Sequence, residues 1–497
     1  MLGLYLAAAL AGTPAGIACA DLPSLAIADT EFTLAVDVDA APFVWPGDAV
    51  APPGTVTDDP EPIPAHCRVR MLLSPEPGSR ILVELWLPAS DWNGKFLAVG
   101  NGGWAGAISG YTDMKNALRR GYATAATNTG HVADTVMSGM FTVGQPEKIT
   151  DFAYRSVHLM AVRSKEIIIE HYRRRIHQSY FMGCSTGGRQ GLMSATRYPG
   201  DFDGIIAGAF VNRHISMHAA DMAQHVYRAR HPRTALPAAK AMLVNDYVMQ
   251  QCDHLGEGFL NNPRQCTVDY KSLQCGWLQD SEHCLTRQQL QTVEMYYGGV
   301  SDRSGKFFYP GFPTGNPIPE LLSPAAPPRT LVFDSIRLLG FQDPAYDWRT
   351  FELERDLPRL QARGKFIETT DPDLRAYKAH GGKLIMYHGW NDDGVSAENS
   401  VMYYESVLAE MGDGQDDWMR LFMVPGMGHC RGGDGPHSFD MLTELERWRE
   451  QGMAPDQIPG SNPATGLRRP LCPYPRFAEY NGAGDLADAY NWSCSLH

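Results

Sequence analysis

Ser185 and His429 are the residues of this sequence whose setting points most directly to chemistry. The serine lies in a glycine turn, Gly183-Cys184-Ser185-Thr186-Gly187-Gly188, and the histidine lies in Gly426-Met427-Gly428-His429-Cys430. A serine hydroxyl becomes a nucleophile when an imidazole takes its proton, and the imidazole needs a carboxylate to hold its tautomer. Asp392 supplies that carboxylate in His388-Gly389-Trp390-Asn391-Asp392-Asp393, with Asp393 as its direct competitor. The order serine, acid, histidine is the one expected after a G-x-S-x-G turn. Transfer of an acyl group also needs amides for the oxyanion. One is the amide of Thr186, and Gly102-Gly103 offers bare backbone for the second. Cys184 and Cys430 sit directly beside the serine and the histidine; bonded, they would staple together the two loops that have to meet.

These residues need a scaffold that brings them to one edge. Residues 81–87, 95–100, 121–127, 179–182, 205–208, 383–388 and 420–425 read as strands. Residues 151–172 carry apolar side chains at helical spacing, and 190–197 read as the helix after the glycine turn. The basic run Arg173-Arg174-Arg175 suits the end of the first of these helices. Strands alternating with helices predict a mostly parallel sheet covered on both faces, with Ser185, Asp392 and His429 all at carboxyl ends of strands. From 213 to 379 the alternation stops, and prolines, aromatic clusters and four cysteines take over. This stretch is expected to be an inserted lid domain. The core is then divided into residues 19–212 and 380–497.

Bulk composition narrows the function. A chain of 497 residues, 44% hydrophobic and only 20% charged, can bury a large core. Its net charge of −13 argues against nucleic-acid binding. Residues 1–18 resemble the apolar and cleavage regions of a secretory signal, without the usual leading positive charge. That run is too short for a membrane span, and no other stretch is long enough. Ten cysteines suit an oxidising compartment, secreted or periplasmic. Zinc is disfavoured because no CxxC or close Cys/His cluster is present. Cys252 with Cys266, Cys275 with Cys284 and Cys472 with Cys494 are close in sequence, and Cys19 and Cys67 remain near the N-terminus.

Tyr154-Arg155-Ser156-Val157-His158 and segments 180–191, 198–208, 388–392 and 425–430 carry a resemblance to the tannase and feruloyl esterase family. The pairing of Cys-Ser with His-Cys is specific to it. The resemblance spans nearly the whole mature chain. It implies an α/β-hydrolase fold with a large inserted lid, secretion, and hydrolysis of aromatic-acid esters by Ser185, Asp392 and His429. It also implies the bridges Cys184–Cys430, Cys19–Cys67, Cys252–Cys266, Cys275–Cys284 and Cys472–Cys494.

The resemblance further implies a structural calcium ion in the loop after Cys252. Here that loop is short; only Asp253 and Glu257 match ligand positions, and calcium takes six or more oxygens. Catalysis itself calls for no cofactor. A second departure is Asn128, where the family more often has aspartate. Trp104 and Trp390 flank the proposed donors and acid and are candidate stacking partners for an aromatic acyl group. His388 is a weaker candidate for substrate contact. Arg329 and Arg337 are the candidates to pair with a substrate carboxylate. The expected substrate is a feruloyl-type ester, with galloyl esters or a terephthalate half-ester as alternatives; a non-catalytic aromatic-binding protein on the same scaffold is the alternative of another class.

Overall fold

The computed structural model describes residues 16–46, 60–276, 283–302, 305 and 307–496; most of the expected signal segment lies outside them. Nine strands form the central sheet: β1 (Thr30–Val38), β2 (His66–Leu73), β3 (Ile81–Pro88), β4 (Lys95–Val99), β5 (Ala123–Thr127), β6 (Gln178–Cys184), β7 (Gly204–Gly208), β8 (Lys383–Gly389) and β9 (Met419–Val424). Their spatial order is β1-β2-β3-β5-β4-β6-β7-β8-β9. The pairings from β1 to β5 are antiparallel, and all those from β5 to β9 are parallel. The seven strands read from sequence are all present. The antiparallel margin formed by β1 and β2 is an addition. β1 alternates exposed and half-buried residues as an edge strand does, a weak pattern to recognise in sequence.

Nine helices of nine or more residues accompany the sheet among the described residues: α1 (Tyr111–Arg119), α2 (Ser156–Tyr172), α3 (Thr186–Arg197), α4 (His214–Arg230), α5 (Ala238–Cys252), α6 (Arg287–Gly298), α7 (Leu353–Gly364), α8 (Ala397–Met411) and α9 (Met441–Gln451). Neighbouring strand residues face opposite ways, and both faces are covered. Phe96, Ala98, Phe181, Ile205 and Leu384 join residues of α2, α3 and α8 in one apolar cluster. Leu97, Tyr180, Ile206 and Ile385 join Ala117 of α1 and four residues of α9 in another. This is the α/β-hydrolase architecture.

The helix expected over 151–172 has a modified first turn. Residues Asp151–Arg155 are π-helical before α2 begins. Arg189, fully buried on α3, donates to the carbonyls of Phe152, Ala153 and Ile367.

Between β7 and β8 the chain adds no strand to the central sheet among the described residues. It forms α4 to α7 instead. Ile215, Met217 and Met222 of α4 pack with Trp104, Phe141 and Phe152, so this insertion is seated on the loops that follow β4 and β5. Asn128 closes the end of β5. Its amide oxygen accepts from the backbone of Leu82 and Gly130, and its amide nitrogen donates to the carbonyl of His131.

Candidate active site

Ser185 is placed by a strained turn between β6 and α3. Its φ of 62° lies in the left-handed region, which a non-glycine residue occupies at a cost. The turn is closed by backbone bonds from Ser185 N to Gly208 O (3.0 Å) and from Arg189 N to Ser185 O (3.0 Å). It tightens until a Cβ on Gly183 would lie 2.6–2.8 Å from the backbone of Gly187, so a side chain there is excluded. Ser185 thus stands at the N-terminus of a 12-residue helix, where unsatisfied amides and the helix dipole favour negative charge.

His429 follows β9. Its Nδ1 donates to Asp392 Oδ2 at 2.6 Å, leaving Nε2 as the basic nitrogen. Asp392 is fully buried after β8, and its Oδ1 accepts the amides of Gly394 and Val395, both at 2.8 Å. Asp393, the competing acid, is exposed. Burial pushes the Asp392 carboxyl upward, but hydrogen bonds and charge from His388 and His429 hold it well below the ordinary carboxylate range. Burial alone would lower His429; the Asp392 hydrogen bond and charge more than reverse that, and its pKa rises above 6.5. A base must be neutral to accept a proton, so kcat/KM falls as pH drops through the raised value. The acid limb of the kcat/KM profile is therefore expected above pH 6.5, and a limb centred below that value would contradict the Asp392–His429 coupling.

All ten cysteines are paired, in the five bridges implied by the family resemblance. Cys184–Cys430 joins the residue before Ser185 to the residue after His429 across 246 residues of chain. Cys430, like Ser185, has a left-handed backbone (φ 65°), so the bond ties together two strained turns.

Ser185 and His429 line one cavity of about 140 Å³ with Gly103, Thr186, Val211, His214, Met217, His218, Arg329, Leu331, Asp393, Gly394 and Val395. Thr186 is the first residue of α3, and its hydroxyl donates to Gly103 O at 2.7 Å, which fixes the two proposed oxyanion donors side by side. Gly102 precedes them and does not line the cavity.

The remaining candidates are placed differently from expectation. Trp104 is fully buried behind the cavity, edge-on to His214 and Phe141. Trp390 points away, into a separate cavity of about 330 Å³ with Arg264, Tyr474 and Arg476. His388 is fully buried and lines neither of these two cavities; its Nε2 donates to Asp392 Oδ2 at 3.0 Å and its Nδ1 meets Ser400 Oγ at 2.7 Å. It braces the acid from behind. Arg337 pairs with Asp334 and stacks on Phe333, outside the cavity. Only Arg329 reaches it, already engaged with Asp221 (3.6 Å) and the carbonyl of Gly394 (3.2 Å). Asp253 and Glu257 lie in a different part of the chain from the cavity, and their oxygens are taken by other partners.

His214, Met217 and His218 had not been singled out in the sequence. Their i, i+3, i+4 spacing puts them on one face of α4, which was the available signal. Ser335 Oγ lies 3.0 Å from His214 Nε2 and 2.6 Å from His218 Nδ1. Burial, with the charge of Arg189, pulls His214 down to about 3, and burial takes His218 well below 6.5; both rings are neutral at ordinary pH.

Residues 67–495 match the family model described as tannase and feruloyl esterase. An uncharacterized esterase of Xanthomonas campestris is 35% identical over 550 residues, covering 98% of this chain and 92% of that one. A probable feruloyl esterase B-2 of Aspergillus terreus is 32% identical over 460 residues, 86% of each chain. The crystal structure of feruloyl esterase B from Aspergillus oryzae superposes with a TM-score of 0.86 at 29% identity, covering 96% of this chain and 99% of that one.

Proposed function

Since the chain belongs to the tannase and feruloyl esterase family and is a carboxylic ester hydrolase, we propose that it cleaves esters of hydroxycinnamic-type aromatic acids through an acyl-enzyme on Ser185. His429 Nε2 takes the Ser185 proton as Oγ attacks the ester carbonyl. The amides of Thr186 and Gly103 hold the oxyanion. His429 returns the proton to the departing alcohol, then activates the water that frees the acid. Asp392 holds the imidazole tautomer throughout. No cofactor enters these steps. The complete pairing of ten cysteines supports an enzyme that works in an oxidising compartment, exported from the cytosol.

The observation that carries this reading is a Ser185–His429 cavity lined mostly by apolar or uncharged groups. Val211, Met217, Leu331 and Val395 suit an aromatic ring, and His214 and His218 are uncharged. The one wall cation, Arg329, is already paired, and Asp393 is an anion at the same wall. A neutral aromatic acyl group fits this lining better than the carboxylate of a terephthalate half-ester. At about 140 Å³ the cavity holds an acyl group and leaves the alcohol part outside.

The test is a hydrolysis panel of methyl ferulate, methyl gallate, the terephthalate half-ester and a short aliphatic ester. Methyl ferulate is expected to lead in kcat/KM, ahead of the half-ester by at least roughly tenfold. Preference for the aliphatic ester or the half-ester would refute the substrate class. Aromatic binding without release of acid from any ester would refute catalysis.

A further inference from the structure

The loop closed by the Cys252–Cys266 bridge has the two carboxylates that the family resemblance assigns to calcium, and their arrangement does not fit that ion. Calcium takes six to eight oxygens, with carboxylates turned inward upon it. Asp253 is turned into its own loop: Oδ1 accepts the amides of Gly256 (2.9 Å) and Glu257 (3.1 Å), and Oδ2 accepts that of Gly258 (2.8 Å). Glu257 uses both oxygens on Arg469, Oε1 with Nη2 at 2.5 Å and Oε2 with Nη1 at 3.1 Å. Asn261 closes the set, donating to Glu257 Oε2 (3.1 Å) and accepting from Arg469 Nη1 (2.7 Å). Among the described residues no three histidine, cysteine or acidic side chains converge to hold a metal.

We propose that Arg469 is the built-in cation of this loop and makes its folding independent of calcium. The guanidinium is fully buried and lies 3.5 Å from the ring centre of Trp492 and 5.6 Å from that of Phe259. It therefore meets aromatic rings and a bidentate carboxylate together, the arrangement for which arginine is suited and a spherical ion is not. Arg469 neutralises Glu257, and backbone amides take up the oxygens of Asp253, so neither carboxylate is left turned toward a metal.

Arg469 also joins three separate pieces of chain. Glu257 and Asn261 belong to the Cys252–Cys266 loop, while Arg469 and Trp492 lie just before the two cysteines of the Cys472–Cys494 bridge. Phe259 carries the contact onward to Gly426, where an added Cβ would lie 2.7 Å from its ring. Gly426 begins the turn that presents His429. The arginine cluster thus supports the histidine loop from below, as a metal-ordered loop could.

The test uses the full purified chain, its metal content and its thermal midpoint. The wild-type protein should carry no stoichiometric calcium, and neither EDTA nor added calcium chloride should move its Tm. R469M, which keeps the aliphatic length and loses the charge, should lower Tm by roughly 5 °C or more because Glu257 is left buried and unpaired. The double variant E257Q/R469M should recover part of that loss. Calcium at one equivalent, a Tm lowered by EDTA, or an R469M midpoint equal to wild type would each overturn the proposal. If R469M does not fold, E257Q/R469M and the EDTA measurement on the wild type still decide it.

Discussion

Ser185→Ala lowers kcat for an aromatic ester by about 10⁶-fold, the scale on which loss of an activated serine acts when base and donors stay in place. The substitution removes one oxygen from a half-buried position and leaves the turn's backbone bonds, Ser185 N to Gly208 O among them, intact. Circular dichroism and Tm should therefore match the wild type or improve slightly, since alanine carries no hydroxyl to place. The informative comparison is the double variant S185A/H429A. A nucleophile and its base act as one unit, so the second substitution adds little to the first. If S185A retains turnover within tenfold of wild type, or the two losses multiply, Ser185 is not the nucleophile.

Asp392→Asn should cost about 10⁴-fold in kcat, the size of effect found when the acid of such a triad becomes an amide. The cause is geometric as well as electrostatic. Oδ1 accepts two amides and Oδ2 faces two imidazole nitrogens, His429 Nδ1 and His388 Nε2. An asparagine can keep its oxygen on the amides only by turning its NH₂ toward two N–H donors. His429 then escapes the clash by carrying its proton on Nε2, the nitrogen that must be bare. The loss should be smallest at high pH, where other bases compete, and the variant should still bind aromatic acids. A loss below tenfold would remove Asp392 from the reaction and return attention to Asp393.

The proposed reacting residues are legible in the sequence because each follows a strand whose apolar run stands out, and because a G-x-S-x-G turn has few uses at such a place. Their neighbours were less legible for a simple reason: adjacent residues point in different directions. Trp104 and Trp390 each lie within two residues of a proposed reacting group, yet one turns into the core and the other into a second cavity. His388 is a weak candidate for substrate contact from sequence; its ring instead bonds Asp392 from the buried side. Arg469 gave no signal, since its partner Glu257 is 212 residues away in sequence. Contacts of that range are set by how the insertion and C-terminal segment fold against the sheet, which periodicity does not encode.

The Cys184–Cys430 bridge has a consequence for motion. With the nucleophile turn and the histidine loop covalently joined, the two sides of the cavity floor cannot part from one another. The opposite wall is built from His214, Met217, His218, Arg329 and Leu331, all from the chain between β7 and β8. The bond therefore constrains the floor of the cavity, and any change in the cavity's width falls to the chain between β7 and β8.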